Sequence, residues 1–429
     1  MKYVASLVAL LAIFAMAVSP FTRNAQAQAA VTIAVDLDPN AATGMRIEGL
    51  VSDSTGRLYT SDLDSRRLFR YTPSSNNLET LGTLPRTGTG MAFDSAGNLY
   101  MASGDVVLRV SSTALQGTTI TSTDVITFAT GLTGANGLAF DGAGRLYVSG
   151  GASGNIYVVA SDGMTRTFAS GLTSEREAQR ISTNGLAFWT DGVLYSSNTG
   201  TGSIDKITLS ADGTLGQVQQ WVKDPLLLGA DGITFADNGD LYVAANERNA
   251  IVRVTPQGQV SDAASNGNSG PLEFPASPAF SGNALYASNF DIERGANAPN
   301  APGIGASLAR IDVGVGGLPL PVSAGPPAQA SPSAAVTGTV VSTAMPSTPG
   351  ATTPTVVSAT STTVPLATST IAPTVGVPTT APLPTSTAMP PGMPTTGGEP
   401  WPLLGIVLMC GMLLAIGLAL RYQGHAKRS

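Results

Sequence analysis

The sequence has one histidine, His425, and one cysteine, Cys410. A single cysteine excludes a disulfide within the chain. A single histidine, close to the C-terminus, excludes a Ser-His-Asp triad or a zinc-histidine cluster in the body of the protein. Charge is scarce too. Charged residues make up 12% of the chain and the net charge is −6, which offers nucleic acid no basic surface and excludes it as an expected partner. From Val313 to Gly398 there is no Asp, Glu, Lys or Arg at all. That stretch is dominated by Ser, Thr, Pro, Ala and Val, as in "STPGATTPTVVSATSTTVPLATST". It lacks the large apolar side chains that would offset chain entropy, so a disordered Ser/Thr/Pro-rich stalk is expected over 319–400.

What is present at the two ends is hydrophobic. Lys2 precedes an apolar run from Val4 to Val18, and "NAQAQAA" follows. Ala25-Gln26-Ala27 and Ala27-Gln28-Ala29 both fit a small-x-small cleavage rule, so residues 1–29 are expected to be a signal peptide, with a retained anchor as the alternative. The second run, Leu403 to Leu420, carries no charge, is flanked by Trp401, and is followed by Arg421, Lys427 and Arg428. A span needs ~20 apolar residues, so 401–421 is expected to be a transmembrane helix that anchors the chain in the membrane, with 422–429 as a basic cytoplasmic tail. The propeller described below would then be secreted across the membrane and held at the cell surface. Before the second run lies Met393-Pro394-Thr395-Thr396-Gly397. It resembles an LPXTG sorting signal, with Met393 in place of Leu. That resemblance implies a sortase partner cutting between Thr396 and Gly397; the alternative is a plain membrane anchor.

Between these ends the chain repeats itself. "IEGLVSDSTGRLYTSD", "TGMAFDSAGNLYMAS", "NGLAFDGAGRLYVSG", "NGLAFWTDGVLYSSN", "DGITFADNGDLYVAA" and "SPAFSGNALYASN" share one plan. An apolar run leads to a turn with Asp or Gly, then to Leu-Tyr and a second apolar run. The tyrosines are Tyr59, Tyr100, Tyr147, Tyr195, Tyr242 and Tyr286, at spacings of 41, 47, 48, 47 and 44 residues. Six such units with four strand signals each predict an all-β fold, a six-bladed β-propeller over 31–318. In the third unit the expected strands are Gly137 to Phe140, Leu146 to Ser149, Asn155 to Ala160 and Thr165 to Ser170. The sixth unit ends after its third strand, "SLARIDV", and "VTIAVDL" (Val31 to Leu37) is expected to supply the missing outer strand.

The residue before each Gly-apolar run reads Glu48, Thr89, Asn136, Asn184, Asp231 and Ser277. At the start of an innermost strand these would converge on one mouth of the central channel. Each Asn or Asp taken alone is readable as a turn cap. Glu48, Asn136, Asn184 and Asp231 taken together favour a hard divalent cation, because converging oxygens without sulfur or imidazole suit Ca²⁺, then Mg²⁺ or Mn²⁺.

Ile47-Glu48-Gly49, Asn184-Gly185-Leu186-Ala187-Phe188 and the segment Asp231 to Ala244 ("DGITFADNGDLYVA") carry a family resemblance. The chain over Val31 to Leu318 resembles the regucalcin/gluconolactonase propellers, also called senescence marker protein or LRE-like. The resemblance implies a divalent metal on the axis, usually Ca²⁺ with Mg²⁺, Mn²⁺ or Zn²⁺ as substitutes. It implies Glu48, Asn184 and Asp231 as ligands, Asp231 also as the catalytic base, and Asn136 as a substrate-binding residue. The implied activity is hydrolysis of a lactone or related ester, with a small molecule as partner. Four positions depart from the family: Gly134 and Gly137 stand where its enzymes often have Arg and Asp, and Leu50 and Val51 replace Pro and Trp. Arg180, in "TSEREAQRIS", reads as a surface residue of a long loop. The competing reading is a non-enzymatic NHL-like propeller that binds a surface ligand, protein or glycan. A strictosidine-synthase-like enzyme is a third, without the charged residues that amine chemistry needs.

Overall fold

The computed structural model describes residues 28–39, 44–210, 213–267, 270–291 and 304–319. The signal segment expected at 1–29 falls almost wholly outside them. So do the stalk from 320 on, Met393–Gly397 and the run Leu403 to Leu420. Among the described residues no helix is long and apolar enough to cross a membrane.

The strands form six sheets. Blade 1 comprises Ile47–Ser52, Leu58–Asp62, Arg67–Thr72 and Asn77–Thr83. Blade 3 comprises Leu138–Phe140, Leu146–Ser149, Ile156–Val159 and Thr165–Ala169, within a residue of the expected bounds. Blade 4 holds Leu186–Phe188, Leu194–Asn198, Ser203–Leu209 and Leu215–Lys223, and blade 5 holds Ala230–Phe235, Leu241–Ala245, Ala250–Val254 and Val260–Ser265. The first strands of neighbouring blades touch in a closed circle that runs from blade 1 through blade 6 and back. In blade 6, Pro275–Ser281, Ala284–Asn289 and Ser307–Ile311 are completed by Val31–Asp36 from the N-terminal end, paired antiparallel with Ser307–Ile311. The ring is thus sealed by strand pairing, with the N-terminal strand serving as the outer strand of the last blade.

Blade 2 departs from the four-strand expectation. It is a three-stranded sheet of Met91–Phe93, Leu99–Val110 and Val125–Ala135. Leu99–Val110 takes the places of the second and third strands: Leu99–Met101 pair with Met91–Phe93 and Gly104–Val110 with Val125–Ala135, with a register shift beside Gly104, whose φ is +66°. Glycine, without a Cβ, enters that region at little cost.

The repeated residues have repeated tasks. Asp53 accepts the backbone N–H groups of Thr55 (2.9 Å) and Arg57 (3.0 Å). Asp94 does so for Ala96 and Asn98, and Asp141 for Ala143 and Arg145. The aspartate therefore closes the turn between the first two strands by satisfying its donors. In five of the six Leu-Tyr pairs the tyrosine stands edge-on to a phenylalanine of the next blade's first strand. The pairs are Tyr59–Phe93, Tyr100–Phe140, Tyr147–Phe188, Tyr195–Phe235 and Tyr242–Phe280, with ring centroids 4.9–5.7 Å apart. Edge-to-face contact adds to the area these rings bury. At the seam the phenylalanine position is Ser52, and Tyr286 instead meets Tyr71 at 6.5 Å.

Candidate functional site

Around the axis the blades approach at backbone distance. A methyl group built at Gly137 would stand 2.2 Å from the Asn184 carbonyl oxygen, so only glycine fits there. The Gly90 N–H donates to the Asn136 carbonyl (2.8 Å) and the Gly185 N–H to that of Asp231 (3.3 Å). Serines two residues after the Leu-Tyr tyrosines fasten the same seam. Ser149 Oγ donates to the Asn184 carbonyl (2.6 Å) and accepts from Gly137 N (2.7 Å), and Ser197 Oγ donates to the Asp231 carbonyl. These contacts fix the backbone that carries the polar residues of the channel mouth.

Asp231 and Asn184 are buried, and Glu48, Asn136, Thr89 and Ser277 are half-buried. Glu48 keeps some surface on the channel but lies deep in the protein. Its carboxyl is held well above the ordinary value, first by burial and then by the charge of Asp231; the Gly49 N–H acts in the opposite direction. Residues of blades 1 and 5, 183 positions apart, thus meet electrostatically. Asp231 Oδ2 accepts from Asn246 Nδ2 (2.9 Å). Asn184 Nδ2 donates to Thr199 Oγ1 (3.0 Å), which donates to the Ala230 carbonyl (2.7 Å). With its nitrogen occupied, Asn184 has its amide oxygen to present. Asn136 holds the corresponding place in blade 3. Thr89 differs: its hydroxyl lies 3.2–3.4 Å from the carbonyls of Ala102, Ala135 and Asn136 and serves the seam.

Two like-charged carboxylates in a deep site, with burial raising the one that faces the channel, suit a cation between them. Among the described residues no three His, Cys, Asp or Glu come together, so the set is two carboxylates and an amide, not a carboxylate cluster. Glu48, Asn184 and Asp231 would be its protein ligands, a set of oxygens that fits calcium better than zinc.

The residues that steady this site were not evident from the sequence. Asn246 and Thr199 stand 15 residues from the groups they hold, across hairpins that only the folded blade closes. Arg180 is exposed, as expected, beside Glu177. Arg176 is the arginine of that loop that reaches inward, with Nη1 and Nη2 at 3.1 and 3.0 Å from the carboxylate of buried Glu247. It ties the loop to the turn Asn246–Arg248, whose first residue holds Asp231.

Residues 47–287 match the protein family described as the SMP-30/Gluconolactonase/LRE-like region. No curated protein matches the chain. Among solved structures, a luciferin-regenerating enzyme is similar at 16% identity and a TM-score of 0.54, covering 69% of this chain and 99% of its own. The calcium-binding protein regucalcin from Agrobacterium tumefaciens is similar at 20% identity and a TM-score of 0.53, again over 69% and 99%. A gluconolactonase-family structure shares 18% identity at a TM-score of 0.51, over 68% of this chain and 95% of that one. At these identities the likeness speaks for the fold.

Proposed function

Because the chain belongs to the SMP-30/Gluconolactonase/LRE-like family, we propose that it is a metal-dependent hydrolase of a lactone or related ester. The observation that carries this reading is the opposition of Glu48 and Asp231 at one channel mouth, with Asn184 beside them. A divalent cation held by Glu48, Asn184 and Asp231, calcium by preference, would supply a Lewis acid for the ester carbonyl and acidify a bound water. Asp231 would accept the proton of the attacking water, and its bond from Asn246 would keep the carboxylate aimed. Water adds to the carbonyl carbon, the ring C–O bond breaks, and the departing oxygen takes up a proton. Asn136 has an amide to direct a substrate hydroxyl. The test is hydrolysis of a panel of aldonolactones by the full-length protein with calcium. Asp231→Asn is expected to lower kcat at least a hundredfold; equal rates for the variant and the wild type would contradict the enzyme reading.

A second reading, a binding propeller of the NHL kind, is favoured by Gly137. The family's enzymes often have Asp at that place, and on this backbone no side chain fits it. A wild type that takes up metal but hydrolyses no lactone would support that reading. In either case we read the chain as an extracytoplasmic protein anchored at the cell surface by 401–421. Release by a co-expressed sortase, lost on Thr396→Ala, would establish covalent attachment; release unaffected by that change would exclude it.

A further inference from the structure

Blade 4 breaks the repeat at one core position. Cross-strand pairing matches Ser196 with Asp205 and Asp205 with Gln220. The residue in Asp205's place is Phe69 in blade 1, Tyr157 in blade 3, Val252 in blade 5 and Ala309 in blade 6. All four are buried and apolar, apart from the tyrosine hydroxyl. Asp205 is 9% exposed, and no described residue donates a hydrogen bond to its carboxylate. The Asp205 side chain contributes to the wall of a cavity of about 320 Å³, at the small end of ligand sites. Thr173, Asn198, Ser203, Asp205 and Gln220 contribute to its lining.

Local geometry keeps the carboxylate available. The register shifts between Ile204 and Asp205, so that Trp221 is the extra residue opposite them. The same shift recurs at the equivalent place in blades 1, 3 and 5, so the repeat itself sets the direction of this side chain. Lys206 follows Asp205 but points to the other face of the sheet, as alternation requires. There its Nζ lies 4.2 Å from the Trp221 ring centroid and 5.3 Å from that of Tyr195. At the rim, Lys223 is paired with Glu175. Asn198 is occupied by the Thr173 carbonyl (2.9 Å) and the Thr201 N–H (3.0 Å). Burial pushes the Asp205 carboxyl up to about 6, so the group remains largely ionised at neutral pH.

We infer that this cavity is a second ligand site, for a compact organic ammonium bearing hydroxyl groups, of the amino-sugar or amino-alcohol class. The ammonium pairs with Asp205 and the hydroxyls meet the Ser, Thr and Gln side chains. A neutral polyol would leave the buried charge unpaired. A bare metal ion would find one buried carboxylate in a space far larger than itself. The site lies between blade 4 and the segment that follows the outer strand of blade 3, and it does not depend on the axial residues or their chemistry.

The experiment titrates the full-length protein with glucosamine, glucose or calcium chloride by calorimetry, in wild type, Asp205→Asn and Asp205→Phe. Saturable glucosamine binding, at least tenfold tighter than glucose and weakened at least tenfold in both variants, is the expected result. Asp205→Phe restores the side chain of blade 1, so it should melt no lower than wild type while its pocket is closed. Glucosamine binding that matches glucose, that is absent, or that survives either substitution would overturn the inference. So would calcium competing with glucosamine for the pocket.

Discussion

Between neighbouring blades, five copies set the same tyrosine against the same phenylalanine, whereas at the channel mouth the six copies carry Glu48, Thr89, Asn136, Asn184, Asp231 and Ser277. The backbone is alike in both regions, so the difference lies in what each place is asked to do. An interface repeated around a ring has the same solution each time, and its residues repeat. A single site on the axis needs different groups from different blades, and its residues diverge. Divergence at a position whose neighbours repeat is therefore a functional signal, and it also singles out Asp205 in blade 4.

The comparison is most easily broken at the repeated interface. Tyr147 is fully buried, edge-on to Phe188 of the next blade (5.1 Å) and to Phe168 of its own (4.9 Å). Tyr147→Ala should cost about 3–5 kcal/mol in urea denaturation, the range for losing a large aromatic from a core. A cost below about 1 kcal/mol would show that the ladder does not hold the blades.

A smaller effect sharpens the other half of the comparison. Asp205 titrates near 6 in the folded chain against an ordinary 3.8, so the native state binds its proton more tightly than the unfolded state does. The stability this group removes is fully lost above pH ~6 and is recovered as the pH falls toward 4, about 2–3 kcal/mol in all. The difference in unfolding free energy between wild type and Asp205→Asn should follow that course. A difference that does not change with pH would mean the carboxylate is compensated in the fold.

Much of the architecture is legible in the order of residues alone. The Leu-Tyr period counts the blades, and the short sixth unit points to Val31–Leu37 as its outer strand. The channel positions follow from aligning the units. What stays hidden depends on contacts across the fold. Blade 2 runs one long strand, Leu99–Val110, through the places of two. Asn246, Thr199 and Arg176 act on groups that pattern does not link to them. Asp205 looks like any polar residue of a strand until its cross-strand register shows that its counterparts are core.

We propose that Glu48, Asn184 and Asp231 hold a divalent cation on the axis. The most direct test is the melting temperature of the full-length protein with EDTA and with calcium, in wild type and Glu48→Gln. A ligand that binds only the folded state at a hundredfold excess over its Kd adds about 2.7 kcal/mol. A calcium-dependent rise of several degrees is expected in wild type, abolished by Glu48→Gln. A wild-type melting temperature indifferent to calcium, or a variant that responds as fully as wild type, would contradict it.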